Sequence, residues 1–181
     1  TLHPAYRSDD GGSTWVEIRQ GLDTMARGAP TVHPVDRDLV LYPGRLGCYR
    51  TVDAGESWSE VLDGECRVVE IDTEAPELVL CVLFGSLQKI TDGGLTFLES
   101  TTPVPSASAG SIRFERGCSR ALTGGSNGLL LTSDGGVSWD ETGLDISAYP
   151  ARNLGSPPAE PAVVLASTAS GDAFGESLRG V

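Results

Sequence analysis

The chain has 181 residues, of which 39% are hydrophobic and 21% charged, a composition that supports a sizeable folded core and excludes a disordered or fibrous chain. Twenty-five acidic against thirteen basic side chains give a formal net charge of -12, which repels the phosphates of nucleic acids and anionic lipid and excludes both as partners on electrostatic grounds. No apolar run approaches the roughly 20 residues of a membrane-spanning helix; the longest, from Leu78 to Phe84, is the size of a strand, so direct membrane insertion is not expected.

The elements in chain order are set by one phrase that occurs four times. It reads Ser8-Asp-Asp10-Gly-Gly12-Ser-Thr14-Trp15, then Thr51-Val-Asp53-Ala-Gly55-Glu-Ser57-Trp58, then Ile90-Thr-Asp92-Gly-Gly94-Leu-Thr96-Phe97, then Thr132-Ser-Asp134-Gly-Gly136-Val-Ser138-Trp139. Only Ile90 and Phe97 depart from the pattern Ser/Thr-x-Asp-x-Gly-x-Ser/Thr-Trp. The aspartates are spaced by 43, 39 and 42 residues, the length of one four-stranded sheet per repeat.

A second signal keeps the same phase. The triplets Leu39-Val-Leu41 and Leu78-Val-Leu80 each begin 14 residues before a box aspartate, and the turn-forming clusters Pro34-Val-Asp-Arg-Asp and Thr73-Glu-Ala-Pro-Glu precede them. Each repeat therefore reads strand A, turn, strand B, loop, strand C, box turn, strand D. After the aromatic the chain alternates, as in Trp15-Val-Glu-Ile-Arg and Trp58-Ser-Glu-Val-Leu, which suits an outer strand with one wet face.

The four boxes at this spacing resemble the Asp-box, or BNR, repeats of β-propellers found in sialidases, sortilin-type receptors, xyloglucan-degrading enzymes and photosystem II stability and assembly factors. The resemblance covers nearly the whole chain and implies an all-β fold of four-stranded antiparallel blades. The pattern has a physical basis: a tight turn between strands C and D needs Gly at positive φ, an Asp and a hydroxyl to satisfy the turn N–H groups, and an aromatic to fill the wedge between adjacent sheets.

The first box is preceded by too little sequence for strands A and B of its own. Downstream, Pro158-Ala-Glu-Pro-Ala and Val163-Val-Leu165 repeat the turn-and-triplet signal, and Gly171-Asp-Ala-Phe174 looks like a further strand C. Two readings follow: strands A and B from the end of the chain join C and D from its start in a four-bladed ring, or the chain is a segment of a larger propeller. The segment is preferred, because six or more blades is the usual size in the resembled families. A start at Thr1 rather than Met suggests a processed product and an extracytoplasmic location, periplasmic or secreted.

Candidate sites follow from chemistry and topology. A calcium loop needs about six oxygens, whereas the positions before the box aspartates vary as Asp9, Val52, Thr91 and Ser133, so the boxes are read as structural turns. Cys48, Cys66, Cys81 and Cys118 form no CxxC and no cluster with His3 or His33, and buried thiols or one or two disulfides are expected, with the pairing open. No cofactor and no metal site is expected. The resembled sialidases use three arginines, a Tyr–Glu pair and an Asp, and carry a Phe/Tyr-Arg-Ile-Pro run that this chain lacks; Tyr49-Arg50-Thr-Val and Ile112-Arg-Phe-Glu-Arg116 are the nearest approaches.

Because strands alternate in direction, the A–B turns and box turns share one face, and the B–C loops and D–A connectors share the other. The second face holds the irregular sequence: connectors Arg19 to Thr31, Ser100 to Gly110 and Glu141 to Gly155, and loops at Gly44-Arg45, Phe84-Gly85 and Gly124 to Asn127. Loops on a rigid scaffold carry recognition, and Arg45, Phe84, Asn127, Tyr149 and Arg152 are the side-chain types enriched in protein contacts. The expectation is a non-catalytic propeller that binds a protein partner within a larger membrane-associated complex. The resemblance to photosystem stability factors points the same way. The alternative is a carbohydrate-active or carbohydrate-binding protein. All three Trp lie inside boxes, which leaves none for an outward sugar-stacking platform.

Overall fold

The computed structural model describes residues 5–22, 25–83, 86–93, 98–99, 111–115, 120–125, 128–142, 151–155 and 165–168. Its elements are all strands, grouped in five antiparallel sheets. The first sheet pairs β1 (Ala5–Arg7) with β2 (Val16–Ile18). The second runs in order through β3 (Thr31–Val32), β4 (Val40–Pro43), β5 (Gly47–Thr51) and β6 (Ser59–Asp63). The third holds β7 (Cys66–Ile71), β8 (Val79–Leu83), β9 (Ser86–Ile90) and β10 (Leu98–Glu99). The fourth holds β11 (Ile112–Phe114), β12 (Ala121–Gly125), β13 (Gly128–Thr132) and β14 (Asp140–Glu141), and the fifth pairs β15 (Ala151–Gly155) with β16 (Leu165–Thr168).

This is the meander read from the repeat, with neighbours in sequence paired in space. The apolar triplets open strands B: Leu41, Val79 and Leu80 are fully buried, as near-continuous apolar runs are in strands covered on both faces. The strands after the boxes are wet, and Ser59, Glu60 and Asp63 of β6 are exposed. Two A–B turns close alike. Leu39 N–H donates to Asp36 O and Leu78 N–H to Ala75 O, while the His33 ring accepts from Asp36 N–H and the Asp72 carboxylate from Glu74 N–H. His33 is thus a turn cap.

Successive sheets meet through their first two strands, β7 against β3 and β4, β11 against β7, and β15 against β11 and β12, which makes β3, β7, β11 and β15 an inner row. Thr31 Oγ1 donates to Val69 O across the β3–β7 step. Arg113 on β11 spans two steps, donating to Glu70 of β7 at 2.7 Å and to Leu154 O of β15 at 3.1 Å. The core is not one mass but a series of interfaces. One joins Leu22, Tyr42, Tyr49 and Trp58, with Ala5 and Ile18 of the first sheet packed against them. A second joins Leu39, Leu41 and Cys48 of the second-sheet repeat to Val69, Ile71, Val79 and Ile90 of the third. A third joins Leu80, Val82 and Leu87 of the third to Ile112, Ala121, Leu130 and Trp139 of the fourth.

Among the described residues, strands β1–β2 and β15–β16 form separate two-stranded sheets. The stretch from Glu141 to Gly155 is not all connector: its last five residues are β15, the A strand of the fifth sheet, anchored by buried Leu154.

Candidate functional site

The box turns come first, because they test whether their carboxylates are free to do chemistry. In the first box Ser8 Oγ accepts from Gly12 N–H at 2.7 Å and donates to Asp10 Oδ1, while Thr14 N–H and Thr14 Oγ1 donate to the two Asp10 oxygens at 2.8 and 2.6 Å. The second box repeats this wiring with Thr51, Asp53, Gly55 and Ser57, and the fourth with Thr132, Asp134, Gly136 and Ser138. Both oxygens of each carboxylate are already accepting from the turn itself. The hydroxyl of Thr14 pulls the Asp10 carboxyl down to about 2, that of Ser57 does the same to Asp53, and that of Ser138 lowers Asp134 further. A cation would have to displace these protein donors, which argues against calcium. Of the third box, Gly94, Thr96 and Phe97 lie outside the described residues, while Asp92 opens the turn and buried Ile90 replaces the hydroxyl residue.

The glycines show why the turn is built this way. Gly12, Gly55 and Gly136 all have φ near +90°, a left-handed conformation that disfavours a side chain. A Cβ on Gly55 would lie 2.7 Å from Ile18 Cδ1 of the first sheet, and one on Gly136 would lie 2.5 Å from Leu80 Cδ2 of the third. The second and fourth boxes thus press on the sheet before them. The aromatics follow the same rule: Trp58 is 6% exposed, edge-on to Tyr42 at 5.6 Å, and Trp139 is 7% exposed. Trp15 is 61% exposed, which corrects the expectation that it fills a wedge. No described sheet precedes its own, and the indole folds back over its turn, donating from Nε1 to Gly12 O.

The loop face carries part of the surface that the topology singled out. Arg45 sits exposed at the tip of the β4–β5 loop, whose backbone is held by both connectors. Arg45 N–H donates to Met25 O, Arg27 N–H to Pro43 O, and Cys66 N–H to Gly44 O. Phe84, Asn127 and Tyr149 lie outside the described residues. Arg152 belongs to strand β15 rather than to a loop, at the irregularity between Ala151 and Asn153. Gly124 and Gly125 likewise end strand β12. The structure therefore gathers no cluster around Arg45 among the described residues.

What sequence reading missed is a cleft on the other side. A cavity of about 420 Å³ runs between the first and second sheets, floored by Ile18, Val40, Tyr42 and Trp58 and rimmed by Arg7, Asp9, Arg37, Asp38 and Ala54. Its size is that of a ligand or peptide site. Along it lies the edge of β1 that faces away from β2; among the described residues no strand pairs with that edge. Tyr6, Trp15 and Val16 on the same sheet are exposed. An apolar floor with a charged rim can receive the side chains of a partner segment. No sequence signal marked this cleft, because its shape depends on how the second sheet packs on the first.

The structure also brings together Cys48, Cys66 and Cys81, which the sequence spacing left apart. Their sulfurs lie within 4.8 Å of one another, all buried. Cys118 lies outside the described residues.

No family model and no curated protein matches this chain. Among solved structures, it is similar to an ancestral GH74 enzyme, with 14% identity, a TM-score of 0.71 and coverage of 80% of this chain and 22% of the other. It is similar to the GH74 xyloglucanase of Xanthomonas campestris, with 14% identity, a TM-score of 0.64 and coverage of 86% and 29%. It is also similar to YCF48 bound to D1 peptide, with 21% identity, a TM-score of 0.59 and coverage of 76% and 47%. The chain spans less than half the length of these proteins. Both groups are Asp-box-type propellers, and the fold of this chain is theirs: all-β, with four-stranded antiparallel sheets.

Proposed function

We infer that this chain is a non-catalytic propeller module that binds a protein partner outside the cytoplasm, docked on a larger membrane-associated assembly. The observation that carries this reading is the apolar cleft between the first and second sheets. Its floor of Ile18, Val40, Tyr42 and Trp58 can receive the side chains of a partner segment, and Arg7, Asp9, Arg37 and Asp38 on its rim can pair with that segment's polar groups. The likeness to YCF48 bound to D1 peptide supports a protein or peptide partner. The net charge of -12 disfavours a nucleic acid or an anionic bilayer as the docking surface.

Light scattering on a sizing column, applied to protein extracted gently from its source, tests this reading when combined with peptide identification of co-eluting chains and amide exchange across residues 5–7. Co-elution with a much larger assembly and slowed exchange at Tyr6 and Arg7 is the expected result. A lone particle near 18.9 kDa with unprotected amides there overturns it.

A second reading, action on or binding of xyloglucan, is favoured by the TM-score of 0.71 to a GH74 enzyme. Release of reducing ends from xyloglucan, or its retention by the immobilised chain, would establish it. Under the first reading neither occurs.

A further inference from the structure

Cys48 on β5, Cys66 at the start of β7 and Cys81 on β8 converge at the interface between the second and third sheets. Each is wholly buried, and their surroundings are Leu39, Leu41, Val69, Val79 and other aliphatic side chains of the same cluster. The Sγ atoms of Cys66 and Cys81 are 2.8 Å apart, closer than unbonded sulfurs prefer and within a small movement of the ~2.05 Å bond. We propose that Cys66 and Cys81 are a disulfide site, oxidised while the chain folds, and that Cys48 closes over it as the remaining thiol.

Three observations select this arrangement. Cys66 and Cys81 lie on adjacent strands of one hairpin, where Cys66 pairs with Leu83 and Val69 with Cys81, so the bond needs only local structure. Cys48 comes from the neighbouring sheet and arrives only when the two sheets pack. The site is also apolar. A disulfide is neutral, whereas a soft cation held by three thiolates would place net negative charge in that core unless it were trivalent. Burial pushes the Cys81 thiol well above its ordinary value, which disfavours a thiolate at Cys81 in the packed state.

The oxidant is a disulfide donor, such as oxidised glutathione or an oxidised dithiol protein. One cysteine thiolate attacks a donor sulfur and releases a donor thiol. The second cysteine thiolate then attacks the mixed disulfide and releases the other donor thiol. The chain loses two electrons and two protons, and the donor gains both. Since neither sulfur is accessible once the sheets are packed, the exchange precedes packing of the second sheet on the third.

Peptide mapping tests this directly, because trypsin places the four cysteines on separate peptides: 46–50, 51–67, 68–89 and 117–120. The full chain is folded with oxidised and reduced glutathione, denatured in an alkylating reagent without reductant, and digested. The expected result is a linked 51–67/68–89 pair that reductant separates, with Cys48 alkylated. The oxidised chain should also melt higher than the same chain folded in reductant, a difference that the Cys66→Ala/Cys81→Ala double variant lacks. Alkylation of both Cys66 and Cys81 overturns the proposal. So does a link to Cys48 or Cys118, or a stoichiometric metal, seen by elemental analysis, whose removal frees three thiols.

Discussion

Asp10, Asp53 and Asp134 each accept hydrogen bonds on both carboxylate oxygens, and this fixes how their turns respond to acid. Asp10 and Asp53 fall from an ordinary value of 3.8 to about 2. A carboxyl depressed in the folded state adds stability that is fully present above its unfolded value and is lost as pH falls through the folded one. Urea midpoints should therefore hold steady above about pH 5 and decline between about pH 4 and 2; Asp53→Asn should make that decline shallower. The box tryptophans separate by their neighbours. Trp58→Ala should cost about 3 to 5 kcal/mol, because it empties a packed interface. Trp15→Ala should cost within about 1 kcal/mol, because its ring already faces solvent and holds one hydrogen bond. Equilibrium denaturation of the two variants side by side checks both, and equal losses would refute the idea that Trp58 is packed between sheets while Trp15 is not.

At the scale of the element, the box turn is both a C–D hairpin turn and a contact to the neighbouring sheet. The two duties can be separated with glycines of similar φ. Gly11 has φ +72° and open space where a Cβ would be, whereas Gly136 has φ +89° and Leu80 in the way. Gly11→Ala should cost about 1 kcal/mol from backbone strain alone. Gly136→Ala should cost about 2 to 4 kcal/mol, since strain is joined by overpacking against Leu80. Unfolding measurements on both give the comparison directly. The inner row has its own cross-ties. Glu70 lies largely buried on β7, and burial raises its carboxyl even with the Arg113 guanidinium beside it; Arg113 in turn reaches the backbone of β15. These ties run from sheet to sheet along the A strands.

For the whole molecule, stability is a sum over interfaces between neighbouring sheets rather than the property of one central core. The chain carries a net charge of -12, so self-repulsion opposes the compact state. Raising salt from about 0.01 to 0.15 M shortens the screening length from ~30 to ~8 Å. The melting temperature should therefore rise over that range, because the surplus of acidic groups outweighs exposed pairs such as Arg7–Asp9 and Arg19–Glu17. A falling melting temperature would show that ion pairs dominate instead.

The strand order, the four-strand repeat, the box turns and the buried B strands were legible in the sequence, because each depends on local rules. Turn glycines, a capping carboxylate and period-two patterning act within a few residues of one another. The face shared by A–B and box turns was legible for the same reason, and Ala54 N–H donating to Asp38 O joins the two turns. What the sequence could not supply are features made by two sheets at once. Trp15 and Trp58 stand in the same phrase, yet among the described residues Trp58 is packed against a neighbouring sheet and Trp15 is exposed. Arg152 looks like a loop residue until β15 finds β16. The cleft beside β1 and the meeting of Cys48, Cys66 and Cys81 arise from residues of neighbouring repeats, brought together when one sheet packs on the next. The sequence by itself determined what each repeat is, because hydrogen bonding along a meander is local. The tertiary structure decided which side chains are buried between repeats and where a cleft is left between sheets, because packing depends on the neighbour that is present.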